Sequence, residues 1–499
     1  MTPTTQQAAF LQALVNTTAN LALVARAGCG KTSTILLGVD ALVTRFPRAE
    51  ILVCAFNKAI ADEVGAKLKE AGHTDWKTVQ ASTLHSLGWG LVRFALRLDQ
   101  KNINEYKVRD IIRAQNEEVF EQYGSQIGKL VELAKGDGFG FFGNKQIGDA
   151  NAWYTMAEHY DVNGFDDTSD MDQVIEAAQR VYRLSLADTT QVDFNDMILF
   201  PLIKNLRVKF GKDFIFMDEA QDLSPARQAL ARKFVKPHTG RMIIVGDPAQ
   251  AIYGFSGADA DALGNMVKQL SAVELPLSVT WRCPKAVVAL AQRIVPDIQA
   301  APSAPEGEVL SLAELPEDLL PTDAILCRNV APLISTAYKL IRAGKPCKVE
   351  GRAIGEGLTA LVRRWKIKTI DALINRLREY QDREVQKALA KGHDSKVEEI
   401  EDKVATLLEI CDACIKMKQT TVADVEAFIM TLFADGATNV TVLASYHRSK
   451  GREWERVFLI EDSTRCPSRA AKQEWQLTQE MNLKYVAYTR AKKTLVFVG

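Results

Sequence analysis

The sequence predicts an α/β protein built from two doubly wound parallel sheets, each interrupted by a mainly helical insertion. Three observations carry this expectation. Short apolar runs end directly in Gly, Asp or Ser and give way to helical patterns, as buried parallel strands with functional carboxyl ends do. These runs fall into two sets on either side of Trp281-Arg282. Two long stretches, 96–186 and 351–436, show helical periodicity and few strand signals.

In chain order, the first set is Leu21 to Val24 leading into Gly28-Cys29-Gly30-Lys31, Ile51 to Ala55 into Phe56-Asn57-Lys58, Phe214 to Met217 into Asp218-Glu219, and Met242 to Val245 into Gly246-Asp247. The second set is Ala324 to Cys327, Val440 to Ala444, Val457 to Ile460 and Leu495 to Val498. Residues 1–95 and 187–275 are therefore expected to form the first domain, with 96–186 as its insertion. Residues 276–350 and 437–499 form the second, with 351–436 as a shorter insertion. The run Ala300-Ala301-Pro302-Ser303-Ala304-Pro305 is the clearest turn-rich connection.

A chain of 499 residues is too long for one ordinary core and suggests roughly three or four units of about 100–200 residues. Hydrophobic residues at 47% and charged residues at 25% argue against disorder. No apolar run reaches the roughly 18 residues of a spanning helix, and Met1-Thr2-Pro3-Thr4-Thr5-Gln6 lacks a signal-peptide pattern, so a cytoplasmic chain is expected, nuclear in a eukaryotic host. Lys plus Arg balances Asp plus Glu, 62 each, so any nucleic-acid contact must come from a local surface. The eight cysteines show no disulfide framework, and Cys411 and Cys414 read as one apolar helix face rather than half a zinc site.

Ala25-Arg26-Ala27-Gly28-Cys29-Gly30-Lys31-Thr32 reads as a phosphate-binding loop. Its glycines let backbone N–H groups approach phosphates, Lys31 reaches the β and γ groups, and Thr32 presents a hydroxyl to Mg2+. Ala27, Cys29 and Ser33 complete the cradle, and Ala25 stands where a first glycine is usual. Asp218-Glu219-Ala220-Gln221-Asp222 ends another apolar run, so Asp218 can hold the Mg2+ shell while Glu219 orients or deprotonates water. Loop and acid pair together supply both halves of a site that hydrolyses ATP.

Further blocks stand in one order along nearly the whole chain: Thr5-Gln6-Gln7, Ala55-Phe56-Asn57-Lys58, Ser82-Thr83-Leu84-His85, Gly246-Asp247-Pro248-Ala249-Gln250-Ala251-Ile252-Tyr253-Gly254-Phe255, Trp281-Arg282, Ser449-Lys450-Gly451 and Ala487-Tyr488-Thr489-Arg490-Ala491. With the loop and acid pair, this series resembles the UvrD, Rep and PcrA group of superfamily 1 helicases. The resemblance implies two RecA-like domains that close on one ATP, with DNA across their tops.

Residue by residue, it implies that Gln6 reads adenine, Gln250 senses the γ phosphate, and Arg282 and Arg490 act as arginine fingers. Trp281, where the family often has tyrosine, would stack on the nucleotide base, and Glu453 would accept the ribose hydroxyls. For DNA it implies Phe56, Tyr253 and Phe255 as aromatic contacts, Phe255 standing where tryptophan is common. Asn57, Thr83, His85 and His447 would bond the DNA backbone.

The block Gly254-Phe255-Ser256-Gly257-Ala258 is similar to that of members moving 3′ to 5′. The short second insertion and Val349-Glu350-Gly351-Arg352 are similar to F-box helicases and compact phage members, and the stop soon after Arg490-Ala491 leaves no appended nuclease expected. The expected activity is ATP-driven translocation on single-stranded DNA and unwinding of tailed duplex DNA, in replication, recombination or repair, alongside a replication or recombination protein partner. Two other readings use the same site: an ATP-gated protein that strips partners from DNA with little unwinding, and a nucleotide switch indifferent to DNA.

Overall fold

The computed structural model describes residues 3–499 apart from 76, 116, 161, 163–167, 255–256, 258–260, 391–393 and 435–438. The chain divides into two compact units, Met1–Ser278 and Val279–Gly499. Among the described residues no helix is long and apolar enough to cross a membrane.

Unit 1 is built on six strands: β1 (Leu21–Ala25), β2 (Ile51–Ala55), β3 (Val79–Thr83), β4 (Phe214–Met217), β5 (Arg241–Gly246) and β6 (Val273–Leu277). They pair in parallel in the order β3-β2-β4-β5-β1-β6. β2, β4 and β5 are buried along their whole length, as strands covered by helices on both faces must be. One face packs Phe10, Leu14, Ile35 and Val39, the other Leu84, Ile198, Leu230 and Met266.

Helices Lys107–Arg113, Glu118–Asp137, Ala150–His159 and Thr168–Ala187 gather a separate core around Ile127, Leu130, Trp153, Val181 and Tyr182. A buried charge cluster ties these helices to helix Phe194–Ile203: Lys135 Nζ lies 2.5 Å from Asp193 and 2.7 Å from Asp196, and Lys107 Nζ 2.7 Å from Asp196. Lys107 also donates to the carbonyls of Ser185 and Asp188. Deleting one member would strand an unpaired charge in the interior.

Unit 2 opens with a two-residue pair, β7 (Val279–Thr280) and β8 (Gln299–Ala300). Its main sheet comprises β9 (Glu308–Leu312), β10 (Ala324–Cys327), β11 (Cys347–Val349), β12 (Thr441–Ser445), β13 (Trp454–Ile460) and β14 (Ala491–Val498). The order is β11-β12-β10-β13-β14-β9, again all parallel. Here, among the described residues, Leu373, Leu377, Val404 and Ile410 of the helices from Arg352 to Leu432 join Ile325, Ile334 and Phe458 in one cluster. Cys411 and Cys414 are buried in it, on the apolar face of helix Asp394–Lys416.

The fold is the expected one, two parallel-sheet α/β units. The eight apolar runs read from the sequence are the inner strands, and β3, β6, β9 and β11 complete the sheets as edges. Unit 1 presents the ends of β1 to β5 along one edge, and that edge positions the site.

One contact gives a stability test. Helices Leu84–Leu96 and Phe194–Ile203 approach so closely that a Cβ at Gly88 would lie 1.9 Å from the Met197 carbonyl oxygen. Gly88→Ala should therefore cost about 1–3 kcal/mol, although alanine ordinarily helps a helix by about 1 kcal/mol. Urea unfolding decides the sign, and a stabilised variant would contradict this packing.

Candidate active site and nucleic-acid interface

At the end of β1 the backbone turns through Gly28 (φ 71°) and Gly30 (φ 81°), left-handed conformations that glycine adopts without steric cost. Gly30 caps helix Lys31–Arg45 without a side chain, and the helix has no acid in its first turn. Its first N–H groups thus keep the partial positive charge that attracts phosphate. Ala27 and Cys29 are buried beneath the turn, while Lys31, Thr32 and Ser33 are partly exposed on it.

Lys31 Nζ lies 2.7 Å from Glu219 Oε1. Burial alone would lower the pKa of this ammonium, but Glu219, Asp218 and Asp247 outweigh it and push the value up to about 12, so Lys31 stays charged. Glu219 has φ 52° and ψ 42°, a left-handed backbone uncommon outside glycine, directly after β4. Gln221 Nε2 donates to the other Glu219 oxygen at 2.5 Å, while Gln221 Oε1 accepts the Asp247 N–H at 3.0 Å. A Cβ on Gly246 would come within 2.5 Å of that Oε1, so the glycine makes room for the bridge.

Asp218 is 6% exposed and accepts the Glu219 N–H. Among the described residues no three His, Cys, Asp or Glu side chains form a metal cluster. Asp218 and the Thr32 hydroxyl are oxygen donors of the kind that could hold an ion such as Mg2+. Asp247 is fully buried, accepting from Arg26 Nη1 at 2.9 Å and from Gln250 Nε2 at 2.8 Å. Gln6, expected to meet adenine, donates to Ser278 Oγ at 2.9 Å and accepts the Ser278 N–H at 3.0 Å. Its neighbour Gln7 forms a capping box with Thr4 and bonds Thr34.

Three residues beyond Gln250, Tyr253 stacks on Phe56: ring centroids are 6.1 Å apart and the planes differ by 9°. Both are half-buried, Phe56 directly after β2 and Tyr253 in the segment that follows β5 and the turn Pro248–Gln250. Asn57 and Thr83 cap the helices that follow them, Asn57 accepting from the Ile60 N–H and Thr83 from the Ser86 N–H. His85 lies edge-on to Phe194, ring centroids 6.3 Å apart. Phe255 lies outside the described residues.

In unit 2 the structure brings Arg282, Glu453, Thr489 and Arg490 together. Arg282 Nε lies 2.6 Å from Glu453 Oε2, and Arg282 Nη1 donates to the Thr489 carbonyl. Arg490 is buried, with Nε on the Val486 carbonyl, Nη1 on the Arg452 carbonyl and Nη2 on Thr489 Oγ1. Trp281, just before Arg282, is 56% exposed. His447 stands on the short helix Tyr446–Ser449 after β12.

Gln221, Arg26 and Asp247 lie inside the sequence blocks, yet only their tertiary partners, 26 to 221 residues away, give them a place in the site. Phe194, which no sequence block contains, is an open aromatic beside His85 at 51% exposure.

Residues 4–271 match the family model described as the UvrD/REP helicase N-terminal domain. Among curated proteins, the chain is similar to a probable DNA helicase II homolog of Mycoplasma capricolum, at 25% identity over 57% of this chain and 40% of that protein. It is 29% identical to the ATP-dependent DNA helicase SRS2 of Saccharomyces cerevisiae over 51% of this chain and 23% of that one. The F-box DNA helicase protein 1 of Schizosaccharomyces pombe is 24% identical over 99% of this chain and 57% of its own length. The chain thus spans under two thirds of each of these relatives.

The two histidines set a pH test. Burial, then the Arg227 guanidinium, lowers the His85 pKa from 6.5 to about 4. Burial, then Arg328, lowers that of His447 to about 3. Both are neutral when folded, so the unfolded chain binds protons first as pH falls. Their contribution is intact above about pH 6.5, declines below it and is fully lost once pH passes the folded values. Between about pH 7.5 and 5, wild type should lose more thermal stability than a His85→Gln/His447→Gln variant. Equal losses would mean that neither ring is held neutral.

Proposed function

The chain belongs to the UvrD/REP helicase family, and on that premise we propose that it is an ATP-dependent motor on single-stranded DNA that unwinds tailed duplex DNA. One observation carries the reading. The edge of the unit 1 sheet that holds Lys31, Asp218 and Glu219 also holds the Phe56–Tyr253 stack, with Asp247 and Gln250 between them in the chain of contacts.

In this reading Lys31 and the loop Ala27–Thr32 hold the β and γ phosphates, and Thr32 and Asp218 hold Mg2+. Magnesium-bound ATP, when present, supplies the phosphoanhydride to be cleaved. Lys31 turns from Glu219 toward phosphate, leaving the Glu219 carboxylate to orient a water and accept its proton. Gln221 keeps that carboxylate aimed while Lys31 exchanges partners. Gln250 answers to the γ phosphate and passes a shift along three residues to Tyr253, against which Phe56 presents one face. Bases stack on this pair, with Asn57, Thr83, His85, His447 and the open ring of Phe194 as further DNA contacts.

Gln6 as adenine reader, Trp281 as base platform, Glu453 as ribose acceptor, and Arg282 and Arg490 as fingers rest on the family resemblance, as does 3′ to 5′ movement. Arg282 then has to leave Glu453, and Arg490 its carbonyl partners, before either can serve a phosphate. We assign residues 96–186 and 351–436 as the insertions of the two motor domains. A role in replication, recombination or repair rests on the same family resemblance.

Lys31→Ala and Glu219→Gln separate binding from chemistry. Glu219→Gln should bind fluorescent ATP normally and hydrolyse it about 10²–10⁴-fold more slowly, whereas Lys31→Ala should lose affinity as well. Equal loss of affinity in both would overturn the division of roles. Unwinding assays on 3′-tailed, 5′-tailed and blunt duplexes test the motor itself. The proposal expects separation of the 3′-tailed substrate, and displacement of bound protein without strand separation would contradict it.

A further inference from the structure

Away from the nucleotide edge, unit 1 carries a second set of groups suited to nucleic acid. Phe94 and Phe210 are each 73% exposed, the two most exposed large hydrophobic side chains among the described residues. They share one surface, because Lys209, next to Phe210, places its Nζ 4.7 Å from the Phe94 ring centroid. Helix Leu84–Leu96 contains no acidic residue, and segment 204–212 contains four basic residues and no acidic one. Among the described residues Arg93, Arg97, Arg207 and Lys209 have no ion-pair partner.

The topology places this surface at the opposite sheet edge from the phosphate-binding loop. Helix Leu84–Leu96 starts at the carboxyl end of β3 and returns toward the strands' amino ends, and segment 204–212 leads into the start of β4. The exposed residues Ser86, Gly90, Arg93, Phe94 and Arg97 are spaced as one stripe along that helix and its C-cap. From His85 to Phe94 the helix rises about 14 Å.

Two projecting rings in a field of unpaired cations call for a polyanion with flat apolar groups. Single-stranded nucleic acid has both, whereas a duplex keeps its bases stacked and offers only phosphate. A second copy of this chain would oppose like charges across the contact. We propose that this face is a second site for single-stranded DNA, distinct from the Phe56–Tyr253 site, with bases stacked on Phe94 and Phe210 and phosphates held by Arg93, Arg97, Arg207 and Lys209.

The inference rests on the charge and exposure of this face, not on the motor reading, and the test separates the two. Full-length wild type, Phe94→Ala/Phe210→Ala, Arg207→Ala/Lys209→Ala and Phe56→Ala/Tyr253→Ala are titrated with oligothymidylates of about 8 and about 30 nucleotides. Wild type should bind two short oligonucleotides per chain, and the Phe94→Ala/Phe210→Ala variant one, with unchanged melting temperature and unchanged ATP hydrolysis at saturating short oligonucleotide. That variant should bind the long oligonucleotide about tenfold more weakly. Arg207→Ala/Lys209→Ala should flatten the salt dependence of long-oligonucleotide binding by about 1.4 in logarithmic slope. Should the motor site fail instead, wild type would bind one short oligonucleotide, still lost in Phe94→Ala/Phe210→Ala but kept in Phe56→Ala/Tyr253→Ala, and the second site would stand. Unchanged stoichiometry and long-oligonucleotide affinity in Phe94→Ala/Phe210→Ala would overturn it. So would a polyglutamate peptide that binds through these rings and is not displaced by oligonucleotide.

Discussion

An ammonium and a carboxylate 2.7 Å apart, Lys31 and Glu219, sit where the requirements on unit 1 meet. They come from the tips of β1 and β4, which are separated in the sheet by β5, and the tip of β5 supplies Asp247. Three parallel strands must therefore end at one level for the half-buried cation to see Glu219, Asp218 and Asp247 together. A one-residue slip of any of them would reverse its side chains and leave Lys31 with fewer counter-charges in a desolvated place. The left-handed backbone at Glu219 and the side-chain-free approach at Gly246 are local costs that let Gln221 brace this arrangement.

The contacts around Lys31 and Glu219 continue along the sheet edge. Asp247 holds Arg26 on one side and Gln250 on the other, and Tyr253 follows within the same segment to stack on Phe56. A displacement at Gln250 has a short covalent route to an aromatic pair, which is the economy a coupled motor needs. In unit 2, helices between Arg352 and Leu432 share one core with the sheet, whereas helices between Lys107 and Ala187 in unit 1 gather a separate cluster that includes Leu199 and are also joined to helix Phe194–Ile203 through Lys135, Asp193 and Asp196.

How much of this was legible in the sequence follows from burial. The inner strands were readable because a parallel strand covered on both faces must be an unbroken apolar run, as Ile51–Ala55 and Ala324–Cys327 are. The edges lack that constraint: β6 reads Val-Glu-Leu-Pro-Leu and β9 is exposed throughout, so neither carries a continuous apolar signal. Within the site, Lys31, Asp218, Glu219 and Gln250 stand in short contiguous blocks that the fold brings to one sheet edge. Partners brought by the fold were not legible: nothing in the local sequence sets Glu453 against Arg282 or folds Arg490 onto the carbonyls of Val486 and Arg452. Phe194 follows a capping aspartate in an apolar helix and reads as core until its exposure is seen.

The central claim is that one sheet edge joins hydrolysis at Lys31 and Glu219 to DNA held at Phe56 and Tyr253. Steady-state ATP hydrolysis by the wild-type chain, measured with and without saturating single-stranded DNA, tests it most directly. Turnover should be low alone and rise by at least about tenfold, or about 1.4 kcal/mol in barrier, when DNA is added. Hydrolysis that proceeds equally well in the absence of DNA would contradict the account.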